Sequence, residues 1–273
     1  MDVKEFKTID EQIALLKFRG LTIYDEKEAA DFLMRHNYYR ISGYSLTLRN
    51  HDVFYPSATF QNIIDIYNFD HELRHVLMRF IETIEVSIKS VYSYEFARVH
   101  GPLGYLDKSN FTDAILYQKT IDKVNDQKDK RHPHEAYLKH FLDELKQDIP
   151  LWAFVDLFTI SDISFLYSIT EIPIKQAIAS RFGLPVNNGY LILEKFLKSM
   201  TIIRNLCAHG SRLYNRLFEQ KPSLNRAELA KLSTDANGNV DNPLRIHAYP
   251  TADFLLPFRR MMWTRTSLSC ANS

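Results

Sequence analysis

Cysteine, glycine and proline are scarce in this chain of 273 residues, which contains 2, 8 and 10 of them respectively. With only Cys207 and Cys270, a disulfide framework is excluded, and such low cysteine usage is typical of intracellular proteins. The few glycines and prolines leave long stretches in which no residue interrupts a helix.

The sequence also lacks an excess of charge of either sign, because 34 basic residues face 33 acidic ones. No overall field therefore favours nucleic acid or a membrane, and any basic site must be local. No apolar run reaches the roughly 18 residues that span a bilayer. The stretch Met1 to Gly20 carries acids where a signal peptide has its apolar core. We expect a cytoplasmic protein without a membrane partner.

Apolar residues recur with a period of 3.6 over most of the chain, which predicts an all-α protein. Between His36 and Phe60 we expect an aromatic-rich connection, and after Leu217 a smaller helical tail with a disordered end. We therefore predict a helical domain over 1–217 and a tail over 218–273. The predicted helices lie at 8–18, at 25–34 with Asp25 as N-cap, at 60–99, within 107–146, within 150–169, at 174–182 and from 193 onward.

The most informative segment is Arg204-Asn205-Leu206-Cys207-Ala208-His209, which places polar groups at the end of an apolar helix. On a helical wheel Arg204 falls beside the stripe that faces the core. A guanidinium there needs an anionic or carbonyl partner, because an unpaired buried charge is very costly. The stripe consists of Leu193, Phe196, Leu197, Met200, Ile203 and Cys207.

Two interpretations of this segment remain open. Asn205, His209, Arg212 and Arg216 would share one face and meet an anion if the helix continued past Gly210. Alternatively, Arg204 forms a salt bridge and His209 caps the helix C-terminus, where a cation is favourable. The acidic partners considered for Arg204 are Asp70, Glu82 and Glu85.

A second apolar arc of the same helix carries Ile202 and Leu206. One arc can face the core of the protein and the other a partner helix. A homodimer with two-fold symmetry is therefore expected.

The segment resembles the R-x4-H signature of HEPN-superfamily ribonucleases, and the string through Arg216 resembles Abi-like proteins of bacterial phage defence, of the AbiD and AbiF kind. Three further blocks resemble that family in the same order, and the similarity extends from about Leu15 to Leu217. Tyr214 stands where tryptophan is common in the family. The further blocks are Asn37-Tyr38-Tyr39-Arg40-Ile41-Ser42-Gly43-Tyr44, Tyr67-Asn68-Phe69-Asp70-His71-Glu72-Leu73-Arg74 and Ile84-Glu85-Val86.

The resemblance implies a HEPN-like helical bundle with extra N- and C-terminal helical elements. It also implies a metal-independent endoribonuclease without a cofactor, whose site forms where two R-x4-H motifs meet. This sequence has one such motif, so a homodimer with a composite active site is expected. In that site His209 acts as general base or acid at the ribose 2′-OH, and Arg204 holds the scissile phosphate. Asn205 orients the histidine or binds phosphate.

By the same resemblance, further residues bind the RNA backbone or stack on its bases. Tyr38, Tyr39 and Arg40 either join them or form a packed wall behind the site, and packing is the commoner use of paired tyrosines. Asp70 and Glu85 are the candidate partners of Arg204. Some relatives resemble toxins restrained by a neighbouring noncoding RNA, so such an RNA is a further candidate partner. The expected RNA contacts include Arg212, Tyr214, Asn215 and Arg216.

Two alternatives belong to other classes of function. His71-Glu72-Leu73-Arg74-His75 matches H-E-x-x-H, in which two histidines on one helical face chelate Zn²⁺. Glu95 has near the spacing of a third ligand, but a straight helix would place it about 30 Å from His75 at 1.5 Å per residue. The other alternative is a non-catalytic RNA-binding or scaffold protein that uses Arg204 only structurally.

Overall fold

The structure is a computed structural model that describes residues 5–216 and Phe218. In this part of the chain the all-α prediction is confirmed, because the only strands form one short hairpin. None of the described helices combines the length and apolar character needed to cross a membrane. The predicted tail over 218–273 lies outside the described residues, apart from Phe218.

Helices account for most of the described chain. Residues 5–76 and 206–216 form one compact unit, and residues 77–205 with Phe218 belong to a second. The helices are α1 (Ile9–Phe18), α2 (Glu26–His36), α3 (Tyr38–Tyr44), α4 (Phe60–His100), α5 (Ala114–Arg131), α6 (Ala136–Lys139), α7 (Leu151–Phe154), α8 (Ile160–Ile169), α9 (Ile172–Arg181) and α10 (Gly189–Ala208). The strands β1 (Arg49–Asn50) and β2 (Val53–Phe54) pair antiparallel.

Side-chain caps fix the starts of the first two helices. Thr8 and Glu11 form a capping box, in which each side chain accepts a hydrogen bond from the other's backbone N–H. Asp25 Oδ1 accepts from Glu28 N at 2.9 Å, so the predicted N-cap of α2 is confirmed.

The connection between α2 and α4 contains a helix that the sequence did not predict. Asn37 ends α2 and begins α3, because its N–H donates to Leu33 O and its side chain accepts from Tyr39 N. It turns the chain at a φ of 63°, which asparagine tolerates better than most residues. A helix of seven residues is too short to show a clear 3.6-residue period, so the pattern gave no signal.

The core of the first unit is built from α1, α2, α3 and the start of α4. Tyr214, from the segment after α10, packs in the same core. The buried residues of this core include Ile13, Leu16, Ala29, Leu33, Ile41, Tyr44, Phe54, Phe60, Ile63 and Ile64.

In the second unit, aromatic stacking and one buried carboxylate join distant parts of the chain. The ring of Phe111 stacks on Phe96 and on Tyr117. Glu95 on α4 binds Arg98 at 2.9 Å and Arg181 on α9 at 2.8 Å, although its own side chain is only 2% exposed. Burial favours a raised pKa for Glu95, but the hydrogen bonds from the two arginines outweigh it and lower the pKa.

The remaining helix predictions agree with the structure in position. The long helix predicted at 60–99 is α4, and the chain leaves it at Gly101 with a positive φ of 78°. All six residues of the predicted stripe on the last helix are buried. The boundary between a domain and a tail at residue 217 stays a prediction.

The buried carboxylate in the second unit gives a testable expectation. Glu95→Gln should lower the free energy of unfolding at neutral pH by about 1–3 kcal/mol, because charge-assisted hydrogen bonds from two arginines are lost. Because the pKa of Glu95 is lowered in the folded state, the ionised carboxylate stabilises the fold above the ordinary glutamate range. This stabilisation is lost as the pH falls through the folded-state pKa. The difference between wild type and variant should therefore shrink below about pH 4.

Urea unfolding at a series of pH values measures this difference. Glu82→Gln is the matched control, because Glu82 is exposed on the same helix. An equal loss of stability in the two variants, or a difference independent of pH, would contradict the role of Glu95.

Candidate functional site

The helix that carries the R-x4-H motif ends in a Schellman motif. Gly210 N donates to Cys207 O at 3.0 Å, and Ser211 N donates to Leu206 O at 2.8 Å. Gly210 adopts a φ of +60°, which glycine reaches at little cost. In this motif His209 is the C-cap residue, and its side chain is exposed.

The predicted common face of Asn205, His209, Arg212 and Arg216 is therefore wrong. That face required a helix continuing past Gly210, whereas α10 ends at Ala208 and no regular helix follows up to residue 216. The physical reason is the left-handed backbone of Gly210, which sends the chain away from the helix axis. The alternative placement of His209, at the helix C-terminus, is the one observed.

Beyond Gly210 the backbone is held by Asp70 of α4. Asp70 Oδ1 accepts from Leu213 N at 3.1 Å and from Tyr214 N at 2.7 Å. Asp70 Oδ2 accepts from Tyr44 Oη at 2.7 Å and from the guanidinium of Arg74. Asp70 is fully buried, and these four donors balance the cost of its desolvation.

Tyr44 donates to this carboxylate from within the core. Burial raises the pKa of the Tyr44 hydroxyl well above its ordinary value, and the hydrogen bond to the negatively charged Asp70 raises it further. Tyr44 therefore keeps its proton at neutral pH and remains a donor to Asp70.

Tyr214 is a structural residue, so its predicted role in binding RNA is corrected. The residue is 8% exposed and belongs to the core of the first unit. Its hydroxyl is hydrogen-bonded to Thr47 Oγ1 at 2.9 Å. A buried ring whose hydroxyl is already paired is not available to stack on a base.

Arg212 also has structural contacts. Its Nη1 donates to the carbonyl oxygens of Tyr214 and Asn215, and the side chain is partly buried. A Cβ atom at Gly43 of α3 would lie 3.1 Å from Arg212 Nε, so the guanidinium packs directly against the backbone of α3. The absence of a side chain at Gly43 makes this approach possible.

The other predicted RNA contacts differ in exposure. Arg40 and Arg216 are exposed, and Asn215 is partly buried at a φ of 50°. Arg40 Nη2 donates to Gly210 O, so its guanidinium lies at the turn that follows His209. Tyr39 is 67% exposed, whereas Tyr38 is partly buried against the core. The prediction of a packed wall therefore holds for Tyr38 but not for the exposed Tyr39 and Arg40.

Arg204 and Asn205 lie in the last turns of α10. Arg204 Nη1 donates to Asn205 Oδ1 at 3.4 Å, and Asn205 is exposed. The predicted partners of Arg204, which are Asp70 and Glu85, bind other residues instead. Asp70 binds the donors described above, and Glu85 forms an ion pair with Lys89 at 3.1 Å.

Cys207, inside the motif, is not a candidate nucleophile. Burial raises the pKa of its thiol to about 12, and the nearby charge of Arg74 only partly opposes this effect. The thiol therefore stays protonated at neutral pH, and a thiol is a poor nucleophile.

The H-E-x-x-H match has no third metal ligand among the residues that the structure describes. His71 and His75 lie side by side on the exposed face of α4, with their Nε2 atoms 3.3 Å apart. Glu95, the candidate third ligand, is occupied by Arg98 and Arg181. Within the described residues no three histidine, cysteine or acidic side chains come together as a metal site. The geometry therefore does not favour a zinc peptidase.

Sequence reasoning missed Tyr44 and Arg74 as partners of Asp70. The i, i+4 spacing of Asp70 and Arg74 was a usable signal, because side chains four apart meet on one helical face. The contacts of Asp70 with Leu213 and Tyr214 had no local signal, since 143 and 144 residues separate the partners.

Asp70 should be one of the most sensitive positions for stability. Asp70→Ala leaves the buried guanidinium of Arg74 without its carboxylate and two backbone N–H groups buried without partners, so we expect a loss of about 3–5 kcal/mol. Asp65→Ala, on the exposed face of the same helix, should stay within about 0.5 kcal/mol of wild type. Chemical denaturation followed by circular dichroism measures both, and a loss below about 1 kcal/mol for Asp70→Ala would contradict the assignment.

Comparison with known protein families gives one match. The model of a family described as Abi-like protein matches residues 31–215, which include Asp70, Arg204, His209 and Tyr214. No curated protein and no solved structure shows a significant match. Since the matched residues make up more than half of the chain, it belongs to the family of Abi-like proteins, which links it to abortive infection in phage defence.

Proposed function

We propose that the protein is a metal-independent endoribonuclease of abortive infection that cleaves RNA with Arg204 and His209. The observation that carries this proposal is the R-x4-H motif at the C-terminal end of α10 in an Abi-like chain. The Schellman motif supports it, because it leaves the imidazole of His209 exposed while Cys207 of the same turn is buried. An exposed histidine is accessible to a large polymeric substrate.

The proposed reaction is transesterification within the RNA strand. His209 removes the proton of a ribose 2′-OH, and the oxygen attacks the adjacent phosphorus. The bond from phosphorus to the 5′-oxygen of the next nucleotide breaks, and that oxygen receives a proton from a second imidazole. The products are a 2′,3′-cyclic phosphate and a 5′-OH. DNA is not cleaved because it lacks the 2′-OH.

Arg204 stabilises the negative charge that develops on the phosphate oxygens. An arginine suits this role because its planar guanidinium donates two parallel hydrogen bonds and stays charged at any physiological pH. Asn205, which accepts a hydrogen bond from Arg204, orients that guanidinium or itself donates to phosphate.

Exposed cations beside the motif extend the proposed RNA contact. Arg40 lies at the turn after His209 through its bond to Gly210 O, and Arg216 is exposed. Both can neutralise backbone phosphates. The whole chain has a net charge of only +1, so the basic site for RNA is local.

A homodimer supplies the second imidazole of the reaction. The sequence holds a single R-x4-H motif, so the second histidine comes from a partner protomer. Ile202 and Leu206 of α10 are only partly buried in the single chain, which is compatible with a partner helix packing there.

His209→Ala should reduce the cleavage rate by about 10²–10⁴-fold, because the general base is lost. Cleavage of a mixed RNA pool in the presence of EDTA, with analysis of the product ends, measures this effect. His75→Ala is the control, since His75 is also exposed and lies outside the motif. Unchanged cleavage by His209→Ala would contradict the proposal, and RNA binding without any cleavage by wild type would favour the non-catalytic alternative.

The composite site can be tested by mixing protomers. If each site needs a histidine from both protomers, exchange with a tenfold excess of His209→Ala protein should lower the activity per wild-type chain about tenfold, since few wild-type homodimers remain. Activity in proportion to the amount of wild-type chain would show that one protomer suffices.

A further inference from the structure

The first unit contains a cleft that the proposed reaction does not use. Its volume is about 940 Å³, within the range of roughly 300–1,000 Å³ that is typical of small-molecule sites. We call it the α3 cleft, because Tyr38, Tyr39 and Ser42 of α3 form one wall. The lining also includes Gln12 and Arg19 from α1 and its C-cap, together with Arg49.

Two buried polar atoms in this cleft lack hydrogen-bond partners among the residues that the structure describes. They are Arg49 Nε, a donor, and Gln12 Oε1, an acceptor. The Arg49 side chain is only 14% exposed. Both atoms have almost no exposed surface, so a ligand in the cleft does not contact them directly.

The cleft is also cationic at one end. Arg19 Nη2 and Arg49 Nη1 each lie 3.2 Å from the carboxylate of Asp52, so two guanidinium groups share one negative charge. Asp52 itself is 68% exposed. The remaining positive charge suits an anion such as a phosphate, which arginine binds through parallel N–H groups.

Aromatic rings line the adjoining wall of the cleft. The rings of Tyr38 and Tyr39 are perpendicular, with centroids 6.2 Å apart. Arg19 Nη1 donates to Tyr38 Oη at 3.1 Å, which fixes the Tyr38 ring beside the cationic end. A planar heteroaromatic ring can stack there, and stacking of a base on an aromatic side chain contributes about 1–3 kcal/mol.

We propose that the α3 cleft binds one nucleotide, with its phosphate on Arg49 and Arg19 and its base on the tyrosine rings. A free mononucleotide and a nucleotide within an RNA strand supply the same chemistry. The site uses neither Arg204 nor His209, so it goes beyond the proposed cleavage reaction.

Within the first unit, α3 contacts both the cleft and the turn that follows His209. The residues Tyr38, Tyr39 and Ser42 of α3 line the cleft. Arg40 of the same helix donates to Gly210 O, directly after His209. A bound nucleotide therefore contacts the helix that holds the turn beside the proposed catalytic histidine.

Calorimetric titration of the full chain tests the site, with His209→Ala as background so that RNA is not consumed. The probes are adenosine and uridine 5′-monophosphates, the matching nucleosides, inorganic phosphate and a short single-stranded RNA. We expect saturable binding of the mononucleotides, the RNA or both, and binding of nucleosides and phosphate weaker by about tenfold or more.

Two pairs of measurements separate the base from the phosphate. Tyr39→Ala should weaken nucleotide binding by about tenfold, whereas Tyr39→Phe, which keeps the ring, should change it less than about threefold. Arg49→Lys should weaken nucleotide binding by about tenfold and leave nucleoside binding unchanged, because a lysine lacks the planar guanidinium fork. Circular dichroism and a melting temperature check that each variant is folded.

The outcomes distinguish a free nucleotide from a nucleotide within an RNA strand, and some of them would contradict the proposal. Mononucleotide binding that is weakened by Tyr39→Ala identifies a free nucleotide as a ligand. Binding of RNA alone, with the same loss in the variant, identifies a nucleotide within the strand. Affinities unchanged by both Tyr39→Ala and Arg49→Lys, no binding of any probe, or phosphate bound as tightly as nucleotide would overturn the site. Wild-type RNA cleavage, measured separately, shows whether the proposed reaction itself holds.

Discussion

The first unit depends on one buried carboxylate. Asp70 receives two backbone N–H groups from the segment after α10, a hydroxyl from Tyr44 and a guanidinium from Arg74. An ionised carboxylate has about four acceptor positions, and here four donors occupy them. An asparagine of the same shape would turn an NH₂ group toward two of these donors, because each carboxylate oxygen accepts from two of them. The interaction therefore requires the charge as well as the size of aspartate.

This carboxylate works together with the turn at Gly210. The Schellman motif satisfies the carbonyl oxygens of Leu206 and Cys207 and sends the chain away from the helix. Asp70 then holds the chain at Leu213 and Tyr214, so the segment from the helix end to the core is fixed at both ends. His209 lies at the start of this segment with an exposed side chain. A rigid support of this kind suits a residue that must meet a substrate in one orientation.

The same segment explains where sequence reasoning succeeded and where it failed. The period of α4, the cap at Asp25 and the buried stripe of α10 were all predictable, because each depends on residues within a few turns of one another. Gly210 was a usable stop signal for α10, but the regular spacing of polar residues beyond it suggested a longer helix. The burial of Tyr214 could not be predicted, because its partners Thr47 and Asp70 are 167 and 144 residues away in the chain.

Hydrogen exchange of the Leu213 and Tyr214 amides tests most directly whether Asp70 holds this segment. Both N–H groups donate to a buried carboxylate, so their exchange in the wild type should be slow, comparable with that of amides inside α4. In Asp70→Ala, which removes both acceptor oxygens, these two amides should exchange about tenfold faster or more, while the amides of α5 keep their wild-type rates. Fast exchange at Leu213 and Tyr214 in the wild type, or equal rates in both proteins, would contradict the anchoring role of Asp70.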